Sequence, residues 1–315
     1  MKFKKILLAG IDEGKLEPAF WKRIDALTEK IVRIPKDSPE MKKQLADADC
    51  VLLSLGSKFD KEDIGIAHKL KYIGMLGTGY GRIDTSYAKT KGILVTNVPS
   101  YSTEGVAEFV FAILLEHLRD LEKGKQQARR GNYSEFGLLA TEIKGKVFGI
   151  LGLGRIGSRV AEIASGFGAD VRYWSRNRKR KIEKKGIKYE DADVLIPKCD
   201  FLSLHFALVK DTEKFLNKER VSKIKSGAVV VNTAPMELVD IDALGKRLEK
   251  GDIIFILDHS DEMGADGLKK LSKYANCIIY PPGAYLTKES TMSKQVIFVS
   301  NIENFLKGTI RNRIN

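Results

Sequence analysis

The hexapeptide G-L-G-R-I-G, Gly152 to Gly157, constrains this chain more than any other stretch. It follows directly on the apolar run Val147–Leu151 and opens the helical pattern Arg155–Phe167, so it lies at a strand-to-helix turn. In that setting each glycine has its own task. Gly152 makes the tight turn, Gly154 lets backbone approach a diphosphate, and Gly157 allows the helix to pack closely on the strand. The amides and positive dipole end of the helix suit the phosphates. A lone motif of this kind is common. Between a strand and a helix, with a further strand following, it predicts a dinucleotide site rather than an ordinary glycine-rich turn.

Short β-branched runs alternate with amphipathic stretches along the whole chain, which predicts an α/β protein with doubly wound parallel sheets. Lys5–Gly10, Cys50–Leu55, Tyr72–Leu76 and Ile93–Val98 read as strands of a first unit. Helical patterns around Glu17–Lys30, Pro39–Ala48 and Lys61–Lys69 separate them. A long helix over Thr103–Arg130 and a connection over Gly131–Lys146 lead to a second series. There Val147–Gly152, Asp170–Ser175, Asp200–Phe206, Ala228–Ala234, Ile253–Asp258 and Cys277–Pro281 make six strands, the full size of a dinucleotide-binding sheet. Thr287–Leu306 is helical again and is expected to pack back on the first unit. The length of 315 residues agrees with two domains.

Composition narrows the class further. Hydrophobic residues at 43% and charged residues at 30% exclude disordered, collagen-like and membrane-embedded chains. No apolar run approaches the ~18–20 residues that cross a bilayer. Cys50, Cys199 and Cys277 lie far apart, so no zinc or redox pair and no disulfide framework is indicated, and a cytoplasmic protein without a metal is expected. The net charge of +13 suits anionic ligands without choosing among them.

The strand Asp170–Ser175 carries the cofactor preference. An NAD site usually places Asp or Glu at its end to hold the ribose 2′-hydroxyl, whereas here Ser175, Arg176 and Lys179 follow Trp174. Arg176 offers a bidentate fork, Lys179 a point charge and Ser175 a neutral donor, so NADP is favoured, with NAD possible. Arg178, Arg180, Lys181, Lys184, Lys185 and Lys188 extend the basic run and read as a solvated helix face.

These motifs together resemble the D-isomer-specific 2-hydroxyacid dehydrogenases, the family of glyoxylate and hydroxypyruvate reductases. L-G-T-G-Y-G-R-I-D (Leu76–Asp84), N-V-P-S-Y-S-T-E-G-V-A-E (Asn97–Glu108), G-L-G-R-I-G, C-D-F-L-S-L-H (Cys199–His205), V-V-N-T-A (Val230–Ala234) and N-I-E-N-F-L-K-G (Asn301–Gly308) carry the resemblance. It implies a substrate domain of residues 1–99 and 288–315 with a nucleotide-binding domain of residues 100–287 inserted in it, the active site in the cleft, and a homodimer. By the same resemblance Thr78 and Gly79 offer amides to a substrate carboxylate, and Thr103 and Val106 border the nicotinamide. Arg155 and Ile156 give amides to the diphosphate, and Thr233 and Asp258 sit near the nicotinamide riboside and carboxamide. Taken singly, a glycine-rich turn, a helix cap at Thr103 and strand ends at Thr233 and Asp258 would look the same.

The catalytic set departs from the family. Reducing a 2-oxo acid needs a cation on the carboxylate and an acid for the forming alkoxide. The family's Arg position is Pro235, its neighbouring Gly is Met236, and its Pro-His pair is Pro281-Pro282. Proline has no side-chain donor and no charge. The family's Glu falls on Met263, or on Glu262 if the loop is one residue shorter. Three readings stand. The first is an NADP-linked oxidoreductase acting on a small carbonyl or imine, with Tyr285, His259, Lys288 and Glu262 as candidate catalytic groups. A tyrosine starts near pKa ~10 and needs a cation, which Lys288 would supply if one helix carried both. Tyr285 is equally readable as a packed aromatic, and His259, Lys288 and Glu262 as ordinary structural or surface groups. The second is a catalytically silent cofactor-binding protein. The third, nucleic-acid binding through the basic helix, lacks a recognised signature and interleaved aromatics, and neither nucleic acid nor membrane is expected as a partner.

Overall fold

The computed structural model describes residues 2–36, 38–54, 56–258 and 263–315. The chain forms two compact units, residues 1–102 with 287–315, and residues 103–286.

In the first unit β1 (Ile6–Ala9), β2 (Ile31–Ile34), β3 (Cys50–Ser54), β4 (Tyr72–Leu76) and β5 (Leu94–Thr96) form a five-stranded sheet in the order β2-β1-β3-β4-β5. Every pairing is parallel. β1 and β4 are buried along their whole length, as expected of a sheet covered on both faces. Side chains alternate between two cores: Leu7, Val51, Ile73 and Val95 on one face, Ile6, Leu8, Leu52 and Tyr72 on the other.

The helix Lys288–Leu306 covers the second of these faces with Phe298, Val299 and Ile302, none more than 1% exposed. It can lie close because Gly74 leaves space beneath it: a Cβ there would stand 2.8 Å from Leu52 Cδ2 and 3.5 Å from Phe298. The helix starts where its sequence dictates. Thr287 and Ser290 exchange side chain to backbone hydrogen bonds of 3.0 Å each, a capping box. Asn301, 4% exposed, donates to the Asn97 carbonyl at 2.9 Å and accepts from Asn312 at 2.9 Å. The last residues then line the β5 edge, with Ile314 N donating to Val95 O at 3.0 Å and Asn315 accepting from Val95 N at 3.1 Å.

In the second unit β6 (Val147–Leu151), β7 (Asp170–Trp174), β8 (Lys188–Tyr189), β9 (Phe201–Leu204), β10 (Val229–Asn232), β11 (Ile254–Leu257) and β12 (Cys277–Ile279) form a parallel sheet ordered β12-β11-β10-β9-β6-β7-β8. The chain runs outward from β6 through β7 to β8, then returns to place β9 on the other flank of β6. That reversal is a topological switch point, and ligands of such sheets bind beyond the carboxyl ends of the strands beside it.

Three expectations need correction. The second sheet has seven strands rather than six, because β8 is a two-residue edge strand inside the basic stretch. β2, four residues ending at Ile34 just before Pro35, has no expected counterpart. The long helix over Thr103–Arg130 is two, Thr103–Leu118 and Leu121–Arg129, separated where Asp120 takes a left-handed conformation (φ 49, ψ 42) that ends one helix and admits the next.

Asn301→Ala removes a buried link between the closing helix and the segment after β5, leaving the Asn97 carbonyl and the Asn312 amide to find other partners. It is expected to cost about 1–3 kcal/mol of unfolding free energy, measurable by urea denaturation. A loss below about 0.5 kcal/mol would mean that water replaces these bonds freely.

Candidate nucleotide and catalytic site

β6 ends in the turn that the glycines predict, and each glycine answers to a distance. Gly152 has φ +99, and a Cβ on it would lie 2.8 Å from both His205 C and Phe206 N at the end of β9. A Cβ on Gly157 would lie 2.1 Å from the Gly152 carbonyl oxygen. Around Gly154 there is nothing within 4 Å, so the open side of the turn faces solvent. Gly154 is also the N-cap of the helix Arg155–Gly166, with no side-chain cap and no acid in the first turn. Arg155 is exposed and Ile156 half-buried at the start of this helix.

A cavity of about 740 Å³ opens beyond β6, β7 and β9, lined among others by Gly152, Gly154, Ser175, Arg176, Lys179 and His205. One wall is aromatic. Trp174 and Phe215 have ring centroids 4.5 Å apart, Phe206 and Phe215 4.9 Å, and the Arg220 guanidinium sits 4.0 Å over Phe215. Arg220 is held there by Asp193 at 2.9 and 3.1 Å. The wall escapes a reading of spacing alone because Trp174, Phe206 and Phe215 come from three separate segments.

At the β7 end the basic residues divide into two groups. Arg178 is committed to Glu183 at 2.6 Å and to the Tyr189 ring at 4.9 Å, while Lys185 and Lys188 pair with Glu162 and Asp170 at 3.0 Å each. Arg176 instead reaches toward the cavity, in a loose 3.5 Å contact with Asp211 in which both side chains are mostly exposed. The Lys179 amide donates to the buried Tyr173 hydroxyl at 2.6 Å, fixing the turn that carries its side chain. Ser175 differs from expectation: its hydroxyl donates to the Asn177 carbonyl at 2.7 Å, so it shapes the turn and offers a ligand only an acceptor lone pair.

His205 lines the same cavity, with Nε2 2.7 Å from the Ser203 hydroxyl. Burial lowers its pKa to about 3, so the ring is neutral at physiological pH. Motif spacing does not single out such a group, since its placement depends on the packing of β9 against the glycine turn.

The helix Thr103–Leu118 contributes Thr103 and the buried Val106, and Glu104 joins it to the nucleotide helix through Arg159 at 2.7 Å. At the end of β10, Thr233 Oγ1 is enclosed and has no hydrogen-bond partner among the described residues. At the end of β11, Asp258 is 1% exposed and its Oδ2 accepts the Ala284 amide at 3.0 Å, which holds Tyr285 one residue beyond. An open glycine turn, a helix start without a side-chain cap and an orphaned hydroxyl fit a dinucleotide.

The fold also separates some candidates. The helix after Tyr285 begins only at Lys288, with Thr287 extended as its cap, so Tyr285 and Lys288 do not share a helical face as the spacing suggested. They also fall in different units. His259 and Glu262 lie outside the described residues. Met263 is 9% exposed and belongs to the core of the second unit. Pro235 caps a short 3-10 turn, Met236–Leu238, in which Met236 is buried. In the first unit Thr78 and Gly79 are exposed, and the loop carrying them is tied to the segment after β5 by Thr78 Oγ1 to Val98 O at 2.8 Å and Asn97 Nδ2 to Thr78 O at 2.7 Å. Tyr280, absent from the candidates, donates to Glu116 and packs edge-on to Phe109. Among the described residues no cluster of His, Cys, Asp and Glu is arranged to hold a metal, and no helix is long and apolar enough to cross a membrane.

Comparison with known proteins agrees with this geometry. The family model described as D-isomer specific 2-hydroxyacid dehydrogenase, NAD binding domain, matches residues 111–282. A hydroxypyruvate reductase of Blautia hydrogenotrophica is 31% identical, the alignment covering 99% of each chain. D-lactate dehydrogenase from Aquifex aeolicus, in complex with NAD and lactic acid, superposes with a TM-score of 0.86 at 29% identity over 96% of each chain. An acyclic imino acid reductase in complex with NADPH and D-Arg superposes with a TM-score of 0.84 at 28% identity, over 99% of this chain and 100% of that one.

The neutral histidine makes a prediction about folding. An unfolded chain protonates this ring near 6.5 and the folded chain only near about 3, so between those values the unfolded state binds the extra proton and stability falls as pH falls. His205→Gln keeps an amide near the Ser203 hydroxyl without titrating. It is expected to flatten that part of the acid limb in urea melts taken between about pH 7 and about pH 4; parallel limbs for the two proteins would refute a buried neutral histidine.

Proposed function

This chain belongs to the D-isomer-specific 2-hydroxyacid dehydrogenase family and is an NAD(P)-dependent dehydrogenase or reductase, and from that premise we propose that it prefers NADP and reduces a small 2-oxo acid or a related carbonyl or imine with a non-standard set of catalytic residues. The observation that carries the cofactor preference is the end of β7. The strand end itself, Trp174-Ser175-Arg176, carries no acid to hold a 2′-hydroxyl, and Arg176 and Lys179 border the cavity where a 2′-phosphate would lie, with Asp211 from another segment only in a loose 3.5 Å contact with Arg176. The NADPH-bound imino acid reductase supports the same reading, while the NAD-bound lactate dehydrogenase keeps NAD as the lesser cofactor.

In this proposal the glycine turn and the amides of Arg155 and Ile156 hold the diphosphate, the aromatic wall with Trp174 and Phe206 takes the adenine, and Thr233 and Asp258 orient the nicotinamide half. Thr103 and Val106 border that ring. The bound cofactor supplies a hydride to the carbonyl carbon. The chain must then supply one proton to the oxygen, or to the nitrogen of an imine, to complete the alcohol or amine. Pro282 and Pro235 have no proton or charge to offer. Tyr285, held beside Asp258 through Ala284, is the proposed donor, with His259 as the second candidate and Glu262 as a group that adjusts it; Lys288, which the fold separates from Tyr285, is left out of this set. Thr78 and Gly79 receive the acid group of the substrate. A homodimer, which the family resemblance implies, would cover Tyr133, Phe136 and Leu139, which are 84%, 89% and 98% exposed.

Two experiments test the reading. NADPH oxidation followed by absorbance against a panel of 2-oxo acids, aldehydes and imines is expected to reveal turnover, reduced at least about 100-fold in kcat by Tyr285→Phe. Full activity in Tyr285→Phe and in His259→Ala would remove both proposed donors, and no turnover with any acceptor would favour a protein that binds the cofactor without using it. Replacing Ser175 by Asp and Arg176 by Ala together is expected to move the NADPH to NADH preference by about tenfold or more toward NADH. An unchanged ratio would defeat the assignment of the 2′-phosphate to this corner.

A further inference from the structure

A cation on a surface turn is a poor phosphate ligand unless something rigid fixes the turn, because ordering the chain on binding offsets part of what the contact contributes. The turn after β7 brings Arg176 and Lys179 to the cavity, and both residues are exposed. It is tied at each end. At its start the Ser175 hydroxyl donates to Asn177 O at 2.7 Å, and at its finish the Lys179 amide donates to the Tyr173 hydroxyl at 2.6 Å. Lys179 precedes the short helix Arg180–Glu183, so its amide has no helical acceptor. The Tyr173 oxygen is that amide's one partner among the described residues.

Tyr173 can hold the turn because it belongs to the sheet. Its backbone pairs with Ile150 of β6 and with Tyr189 of β8, its carbonyl accepts the Glu190 amide at 2.9 Å, and the residue is 0% exposed. The hydroxyl has a single proton, which goes to the Glu183 carboxylate at 2.8 Å, leaving its lone pairs for the Lys179 amide. An ionised acceptor for the proton makes the oxygen a better acceptor in turn. Glu183 also holds Arg178 at 2.6 Å, with that guanidinium 4.9 Å over the Tyr189 ring. One buried hydroxyl and one carboxylate thus decide which basic side chains of this turn are offered to a ligand.

We propose that Tyr173, fixed by Glu183, is a positioning residue for the phosphorylated cofactor: its buried hydroxyl sets the backbone at Lys179 so that the ammonium meets the 2′-phosphate. This assignment rests on the NADP preference proposed above and deepens it, placing part of the selectivity in a side chain that lies inside the core and touches no cofactor atom. NADH has no 2′-phosphate for Lys179 to meet. Loosening the turn is therefore felt by one cofactor and not by the other.

The Kd values of NADPH and NADH are measured by calorimetry for the unaltered protein, Tyr173→Phe, Lys179→Ala and the double variant. Tyr173→Phe is expected to weaken NADPH about fivefold and NADH less than about twofold. Lys179→Ala should weaken NADPH by as much or more, and adding Tyr173→Phe to it should change the NADPH to NADH ratio little further, because the hydroxyl acts through that lysine. Equal weakening of both cofactors by Tyr173→Phe, or additive effects in the double variant, would overturn the proposal, since a tyrosine that only stabilises the fold gives that result. Hydrogen exchange at the Lys179 amide of the unaltered protein tests the same contact without any variant. Exchange slowed about tenfold or more relative to an open chain is expected, and unprotected exchange overturns the proposal even if Tyr173→Phe does not fold. If Lys179→Ala leaves the NADPH to NADH ratio unchanged, the placement of the 2′-phosphate falls and the positioning role with it. If Lys179→Ala lowers the ratio and Tyr173→Phe does not, the cofactor reading stands and the role of Tyr173 falls.

Discussion

The contact between the Gly152 backbone and the end of β9 governs the second unit. With φ at +99 and room for no side chain, Gly152 lets β6 turn sharply while His205 and Phe206 pass within 2.8 Å of where a Cβ would stand. That closeness seats the nucleotide helix on the sheet, since Gly157 lies against the carbonyl of Gly152 itself. It also brings the end of β9 to the cavity, so that the His205 ring, braced from behind by the buried Ser203 hydroxyl, lines it. Parallel strands concentrate such turns at their carboxyl ends, and the order reversal between β7 and β9 opens the space between them. A short glycine sequence therefore fixes backbone geometry, cavity and cofactor class at once.

Burial on both faces sets the character of the first unit. Its central strands have no polar face, so stability comes from two apolar layers, one closed by the helix Lys288–Leu306. Polar groups inside this structure have specific partners: the Tyr72 hydroxyl meets Thr96 at 2.6 Å, and Asn301 bridges Asn97 and Asn312. A buried amide left without such partners costs more than the bond itself contributes, which is why these few contacts hold the closing helix in register.

Much of this was legible from sequence because it depends on local backbone physics. The glycine turn, the alternation of strands and helices, and the cap at Thr287 each have a residue-level cause. β8 and β2 were not legible: two and four residues at sheet edges carry too little periodicity to distinguish them from loop. The break at Asp120 was hidden because its residues continue the helical pattern, and only a left-handed conformation interrupts it. Within the candidate site, charge type was readable but allegiance was not. Arg176 and Arg178 are two residues apart, yet one reaches the cavity and the other is bound to Glu183 and Tyr189. Ser175 likewise spends its proton on a neighbouring carbonyl, which no spacing rule reveals.

The order in which the chain leaves the ribosome has a consequence for these two units. Residues 103–286 form a contiguous unit, whereas the first sheet stays without the helix Lys288–Leu306 and the strip at Arg313–Asn315 until that whole intervening unit has been synthesised. Its apolar layer around Tyr72 and Leu52 is exposed throughout that interval, a surface that invites chaperones or misassociation. Strands made before residue 103 thus mature only after residues beyond 286, and removing Arg313–Asn315 would be felt first by β5, far away along the chain.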